Sequence, residues 1–136
     1  MSEKLTQGVH HVGLTVPDLD QARDFFCGLL GFDEVGGVPD YPSIFVSDGA
    51  MLLTLWRAAD PLSARAFDRR ANIGLHHLSL AVTDDEALTA TWDKVSSHPE
   101  VVVDVPPGPI RAGSATRHFL VFIPGGIRIE FATPFA

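Results

Sequence analysis

Gly8-Val9-His10-His11-Val12-Gly13-Leu14-Thr15-Val16-Pro17-Asp18 returns 66 residues later as Gly74-Leu75-His76-His77-Leu78-Ser79-Leu80-Ala81-Val82-Thr83-Asp84. The opening glycine, both histidines, one leucine, one valine and the closing aspartate are identical. The offset is close to half of the 136-residue chain. Apolar alternation alone recurs in any pair of strands, but a paired histidine at one fixed place does not. The chain therefore reads as two copies of one module.

Working outward, Asp18 and Asp84 each precede a helical pattern and can accept hydrogen bonds from its first turn. The spacing predicts a first helix over Leu19 to Leu30, with Ala22, Phe25, Phe26, Leu29 and Leu30 inward and Gly31 as its left-handed stop. A second is predicted over Asp85 to Ser97, with Leu88, Trp92 and Val95 inward, ending before Pro99. Three strand-like runs follow each helix. They lie at Asp33 to Val38, Ser43 to Val46 and Ala50 to Arg57, then at Val101 to Val105, Arg117 to Ile123 and Ile127 to Thr133. Asp48-Gly49 and Gly125-Gly126 mark hairpin turns. Pro106 to Ser114 reads as a surface loop. The expected fold is α+β, with two tandem βαβββ modules. Residues 1–136 form a single domain on this reading. Module one is about 8–58, the connector 58–73 and module two about 74–134.

Period-2 alternation divides each opening strand into two faces. Val12, Leu14 and Val16 oppose His11, Gly13 and Thr15. Leu78, Leu80 and Val82 oppose His77, Ser79 and Ala81. One face is apolar and suits a covering helix. The other carries a histidine followed by small residues, which leave room for a ligand. His10 and His76 fall near the edge of the opposite face and read as structural. Imidazole is the commonest metal ligand, so a duplicated histidine facing a cleft points to a cation. Glu130, a lone carboxylate in the apolar strand after Pro124-Gly125-Gly126, is costly there unless it is paired or bound to metal. The equivalent first-half position is Thr54 if Leu-Thr-Leu is matched to Ile-Glu-Phe, and Leu53 if the match runs without a gap from Gly49. Neither is an acid. The candidate ligands are thus His11, His77 and Glu130, a set suited to divalent manganese, iron, nickel or zinc. Phe45, Trp56, Phe122 and Phe131 are candidates for aromatic pocket wall.

These residues resemble the vicinal oxygen chelate superfamily, which includes glyoxalase I, extradiol dioxygenases, fosfomycin-resistance transferases and bleomycin-resistance proteins. The resemblance rests on His11 to Asp18, Phe25-Phe26 through Leu29-Leu30-Gly31-Phe32, His77 to Asp84, and Pro124 to Glu130. It implies that the paired βαβββ modules form a curled mixed sheet around a metal cleft, with the metal held by the same His11, His77 and Glu130. It further implies a metal-dependent enzyme of glyoxalase-like type, a lyase or isomerase, on a small substrate chelated through vicinal oxygens. An extradiol-type ring-cleaving dioxygenase and a non-catalytic drug-binding protein are the alternatives. The chain departs from glyoxalase I in lacking the first-half glutamate. Thr54, His118 and Arg117 are the candidate catalytic residues, and Arg117, Arg128 and Arg111 the candidate anion clamps.

The composition narrows the partners. A net charge of −7 disfavours nucleic acid and anionic membranes. No apolar run approaches membrane-helix length, and Met1 to Gln7 has no signal-peptide core, so a cytoplasmic location is expected. The single Cys27 excludes an intrachain disulfide and reads as a small hydrophobe in the first helix. Two small halves with 46% apolar residues favour a further buried interface, and a homodimer is expected.

Overall fold

The computed structural model describes residues 2–136. The chain divides into two compact units, one ending at Ala64 and the other beginning at Arg65. The first contains β1 (Val12–Val16), α1 (Leu19–Arg23), β2 (Asp33–Gly36), β3 (Ser43–Ser47) and β4 (Leu52–Arg57). Its sheet has the order β1-β4-β3-β2. The second contains β5 (Leu78–Ala81), α2 (Asp85–Ser96), β6 (Val102–Pro109), β7 (Arg117–Phe122) and β8 (Arg128–Ala132), ordered β5-β8-β7-β6. In each sheet the opening strand runs parallel to the last, and the other pairs are antiparallel. The two units are the two βαβββ modules of an α+β fold. No helix among the described residues is long and apolar enough to cross a membrane.

The same local chemistry starts both helices. The Asp18 carboxylate accepts from the Gln21 amide at 3.0 Å, and that of Asp84 from the Ala87 amide at 2.8 Å. Each helix then covers the apolar face of its own sheet. Leu14, Val16, Val46, Leu53 and Leu55 are buried with Ala22, Phe25 and Phe26 in the first unit. Leu80, Phe119, Val121, Ile129 and Phe131 are buried with Leu88 and Val95 in the second. Phe131 stacks on Phe119 with centroids 4.9 Å apart, so it is core and not pocket wall.

Two elements differ from the sequence expectation. The α-helical turns of α1 end at Arg23, and the chain continues as a π-helix over Asp24–Leu29. The Leu30 amide reaches back five residues to the Phe25 carbonyl at 3.2 Å. A wider turn brings adjacent side chains closer to one face, and Phe25 and Phe26 are both fully buried. Gly31 follows with φ +80°, the left-handed stop the sequence calls for. The second difference is β6, which runs on to Pro109 where a loop is expected from Pro106. It is the outermost strand, so its prolines face no partner that needs an N–H. Register shifts between Val103 and Val105 and between Val105 and Gly108 absorb their geometry.

Candidate functional site

Strand pairing decides which side chains share the face left uncovered by each helix. In the second unit Glu130 pairs with Ser79 on one side and Leu120 on the other. His118 pairs with Ala132, and Phe122 with Arg128. Directly paired residues point the same way, so Ser79, His118, Leu120, Phe122, Arg128 and Glu130 form one open face. His77 enters this face one residue before β5 begins. Arg117 alternates with His118 and falls on the helix side.

Glu130 is the centre of the arrangement. Its side chain is 9% exposed, and its carboxylate accepts from His118 Nδ1 at 2.6 Å through Oε2. Its Oε1 lies 3.5 Å from His77 Nε2. Burial by itself would raise the carboxyl's pKa. Hydrogen bonds from His118 and Ser79, with the charges of His77 and His118, outweigh burial and hold it below the usual carboxylate range. The carboxylate is therefore an anion held by His118 and Ser79, with Oε1 turned toward the His77 imidazole nitrogen.

Arg128, a candidate anion clamp, is already committed. Its Nε and Nη2 donate to Asp104 Oδ2 at 2.9 and 2.7 Å, and Nη1 stands 3.4 Å from His76 Nδ1. Arg69 lies 3.9 Å from the same aspartate oxygen and 6.0 Å above the Phe122 ring. His76 Nδ1 and His77 Nδ1 are 2.8 Å apart, one ring donating to the other. Asp104 and Arg69 went unnoticed in the sequence, although a lone aspartate in Val101-Val102-Val103-Asp104-Val105 carries the same signal as Glu130.

The first unit repeats the frame with other side chains. Gly13 pairs with Thr54 as Ser79 pairs with Glu130, so Thr54 and not Leu53 occupies the acid's position. Its hydroxyl accepts from Trp56 Nε1 at 2.9 Å. His11 is exposed, with its Nδ1 2.9 Å from His10 Nδ1. The structure thus brings His77, His118 and Glu130 together in the second unit, with His11 at the equivalent place in the first. Among the described residues no group of three or more His, Cys, Asp or Glu side chains forms a ready cation cage. Cys27 is half-buried, its thiol pushed up first by burial and then by Glu34.

Residues 8–131 match the Glyoxalase/Bleomycin resistance protein/Dioxygenase superfamily. The chain belongs to that superfamily. A 2-epi-5-epi-valiolone epimerase from Actinomyces sp is 32% identical over 146 aligned positions, which take in 90% of this chain and 76% of that protein. Among solved structures, a glyoxylase/bleomycin resistance protein/dioxygenase domain from Frankia sp. EAN1pec superposes with TM-score 0.78 at 21% identity, covering 94% of this chain and 92% of that one. The fosfomycin resistance protein FosX of Listeria monocytogenes gives 0.72 at 15% identity, covering 96% and 95%. Lactoylglutathione lyase of Agrobacterium tumefaciens gives 0.68 at 21% identity, covering 96% of each chain. These three structures share the fold of the superfamily with this chain.

Proposed function

We propose that this glyoxalase-superfamily chain is a metal-dependent isomerase of the epimerase type, acting on a small substrate that offers neighbouring oxygens. The ligands are His11, His77 and Glu130, with both modules working as one domain. The observation that carries the reading is the state of Glu130. His118 holds one carboxylate oxygen, and the other stands 3.5 Å from His77 Nε2. Two donors at about 2.1 Å from one tetrahedral ion stand ~3.4 Å apart, so this pair fits a divalent cation. In the second unit His77 Nε2 and Glu130 Oε1 form that pair, while His118 Nδ1 is engaged by the other carboxylate oxygen. His11, the duplicate of His77, completes the set.

A divalent ion there, manganese, iron, nickel or zinc, supplies Lewis acidity to a substrate carbonyl. The rest falls to the chain's own groups. His118 donates through Nδ1 to Glu130, which leaves Nε2 with its lone pair as a proton acceptor. Epimerisation then balances as one C–H proton leaving the carbon beside the carbonyl for His118 Nε2. One proton returns from solvent water to the opposite face of the same carbon, and His118 Nε2 releases the proton it took to solvent, so the protein ends as it began. Thr54, held by Trp56, adds no second carboxylate. The similarity to an epimerase supports isomerase chemistry over oxygen insertion.

Metal-reconstituted protein incubated with 2-epi-5-epi-valiolone in D2O tests this. The expected result is deuterium at the inverted carbon, with no oxygen consumed. His118→Gln should lower the exchange rate by about 10²–10⁴-fold while metal affinity is kept. Oxygen uptake with catechol, or full exchange in His118→Gln, would contradict the reading.

A further inference from the structure

The duplication makes each unit a control for the other. At the place where the second unit carries Ala132, the first carries Trp56, since both lie two residues past the Thr54 and Glu130 positions. Where the second has Leu120, paired with Glu130, the first has Phe45, paired with Thr54. The open face of the second unit is charged, whereas that of the first is aromatic and hydroxylic. Tyr41 and Trp56 meet at an interplanar angle of 82° with centroids 4.8 Å apart, forming a right-angled corner. Phe45 closes against Trp56 at 5.8 Å.

The indole is fixed in place. Its Nε1 donates to Thr54 at 2.9 Å, and a Cβ at Gly13 would stand only 3.5 Å from that nitrogen and 3.1 Å from Thr54 Oγ1. Any side chain at Gly13 would crowd this pair, so the glycine keeps the corner open. A half-buried tryptophan needs no such fixing for stability alone, and a rigid aromatic surface is what a preorganised binding wall requires. The rim is polar: Thr15 is exposed beside Trp56, and Tyr41 is 59% exposed. His11, Gly13 and Thr15 alternate along one face; Trp56 pairs with Thr15, four strand residues or ~13 Å from the proposed ligand His11, and its indole nitrogen reaches back to Gly13, about halfway.

We propose that this aromatic corner is the site that binds the body of the substrate, and that the substrate is a saturated ring carrying several hydroxyls. Aromatic rings are electron-rich on their faces and attract the polarised C–H groups of such a ring. The hydroxyls of Thr15 and Tyr41 are placed to bond its rim. A planar aromatic ligand would call for a closed apolar slot, and this rim is hydroxylic. The inference rests on the reading of the chain as an enzyme of small oxygenated substrates. It adds the substrate's class and assigns its recognition to the first unit.

The test uses metal-free protein, which separates it from the metal reading. Of the two tryptophans, Trp92 packs on Phe119 at 5.1 Å, so Trp92→Phe leaves Trp56 as the sole tryptophan, excited selectively over Tyr41 at the red edge of its absorption. Binding of myo-inositol and, separately, of phenol is followed by that fluorescence and by saturation-transfer NMR, with metal titrated into parallel samples. Saturable myo-inositol binding is expected, weakened about tenfold or more in Trp56→Ala when read by NMR and partly restored in Trp56→Phe. Tyr41→Ala should weaken it too. Equal affinity in wild type and Trp56→Phe with no loss in Tyr41→Ala would overturn the proposal, even if Trp56→Ala fails to fold. So would tighter binding of phenol, or no saturable binding of myo-inositol. Binding of the ring without any metal uptake would support the corner and sink the metal reading. Metal uptake without binding of the ring would do the reverse.

Discussion

Arg128 and Glu130 lie two residues apart on one face of β8, and each is hydrogen-bonded by a different neighbour. Arg128 is held by Asp104 on β6, and Glu130 by His118 on β7. Charge-assisted bonds of this kind contribute about 1.5–3 kcal/mol each when partly buried. Arg128→Met should lower metal-free stability by about 2 kcal/mol, read from urea unfolding. Asp104→Leu should cost less when added to Arg128→Met than it does alone, because the interaction is already gone. An unchanged urea midpoint in Arg128→Met would contradict this assignment. Glu130 was legible in the sequence because a carboxylate between Ile129 and Phe131 has no cheap place to go. Its partner was not, since His118 pairs with it only once the β7–β8 register is set. The same holds for Asp104, whose partner lies two strands away.

At the scale of elements, both helix starts and the stop at Gly31 were legible, because caps are local chemistry. The π-helical continuation of α1 over Asp24–Leu29 was not. Phe25 and Phe26 suit the apolar face of an α-helix almost as well as that of a π-helix, and only packing against the sheet distinguishes the two. Phe26→Ala should cost about 3–5 kcal/mol, the range for emptying a buried phenylalanine site. A loss well under 1 kcal/mol would mean that the ring is not packed as described. The β2–β3 connection offers a sharper steric test. A Cβ at Gly37 would come within 2.6 Å of the Ser43 carbonyl oxygen, and one at Gly36 would meet only the Phe45 ring at 3.4 Å. Gly37→Ala should therefore destabilise by about 1–3 kcal/mol and Gly36→Ala by clearly less, in thermal unfolding of both variants. Equal losses would contradict the backbone path.

At the scale of the molecule, the duplicated module assigns unlike tasks to like positions: the second unit carries the anion and its histidines, the first the aromatic corner and His11. The repeat revealed the two modules from sequence alone and pointed to His11 and His77 as proposed ligands. It could not reveal this division of labour, which depends on strand register. Each sheet also ends on an open strand. Val35 of β2 is 58% exposed, and Val102 and Val103 of β6 are 61% and 42% exposed. Such edges invite pairing. We expect a homodimer in sedimentation velocity, and a monomer at every concentration would contradict that. If its sites are shared between chains, co-refolding His11→Ala with Glu130→Ala protein should recover metal binding in part of the heterodimers. The central claim is that His11, His77 and Glu130 hold one divalent ion, and elemental analysis of purified wild type and single alanine variants tests it most directly. The account predicts one metal per site in wild type, in His10→Ala and in His76→Ala, and a sharp loss in each of the three ligand variants with the fold still cooperative. Full metal content in His11→Ala, His77→Ala and Glu130→Ala would contradict it.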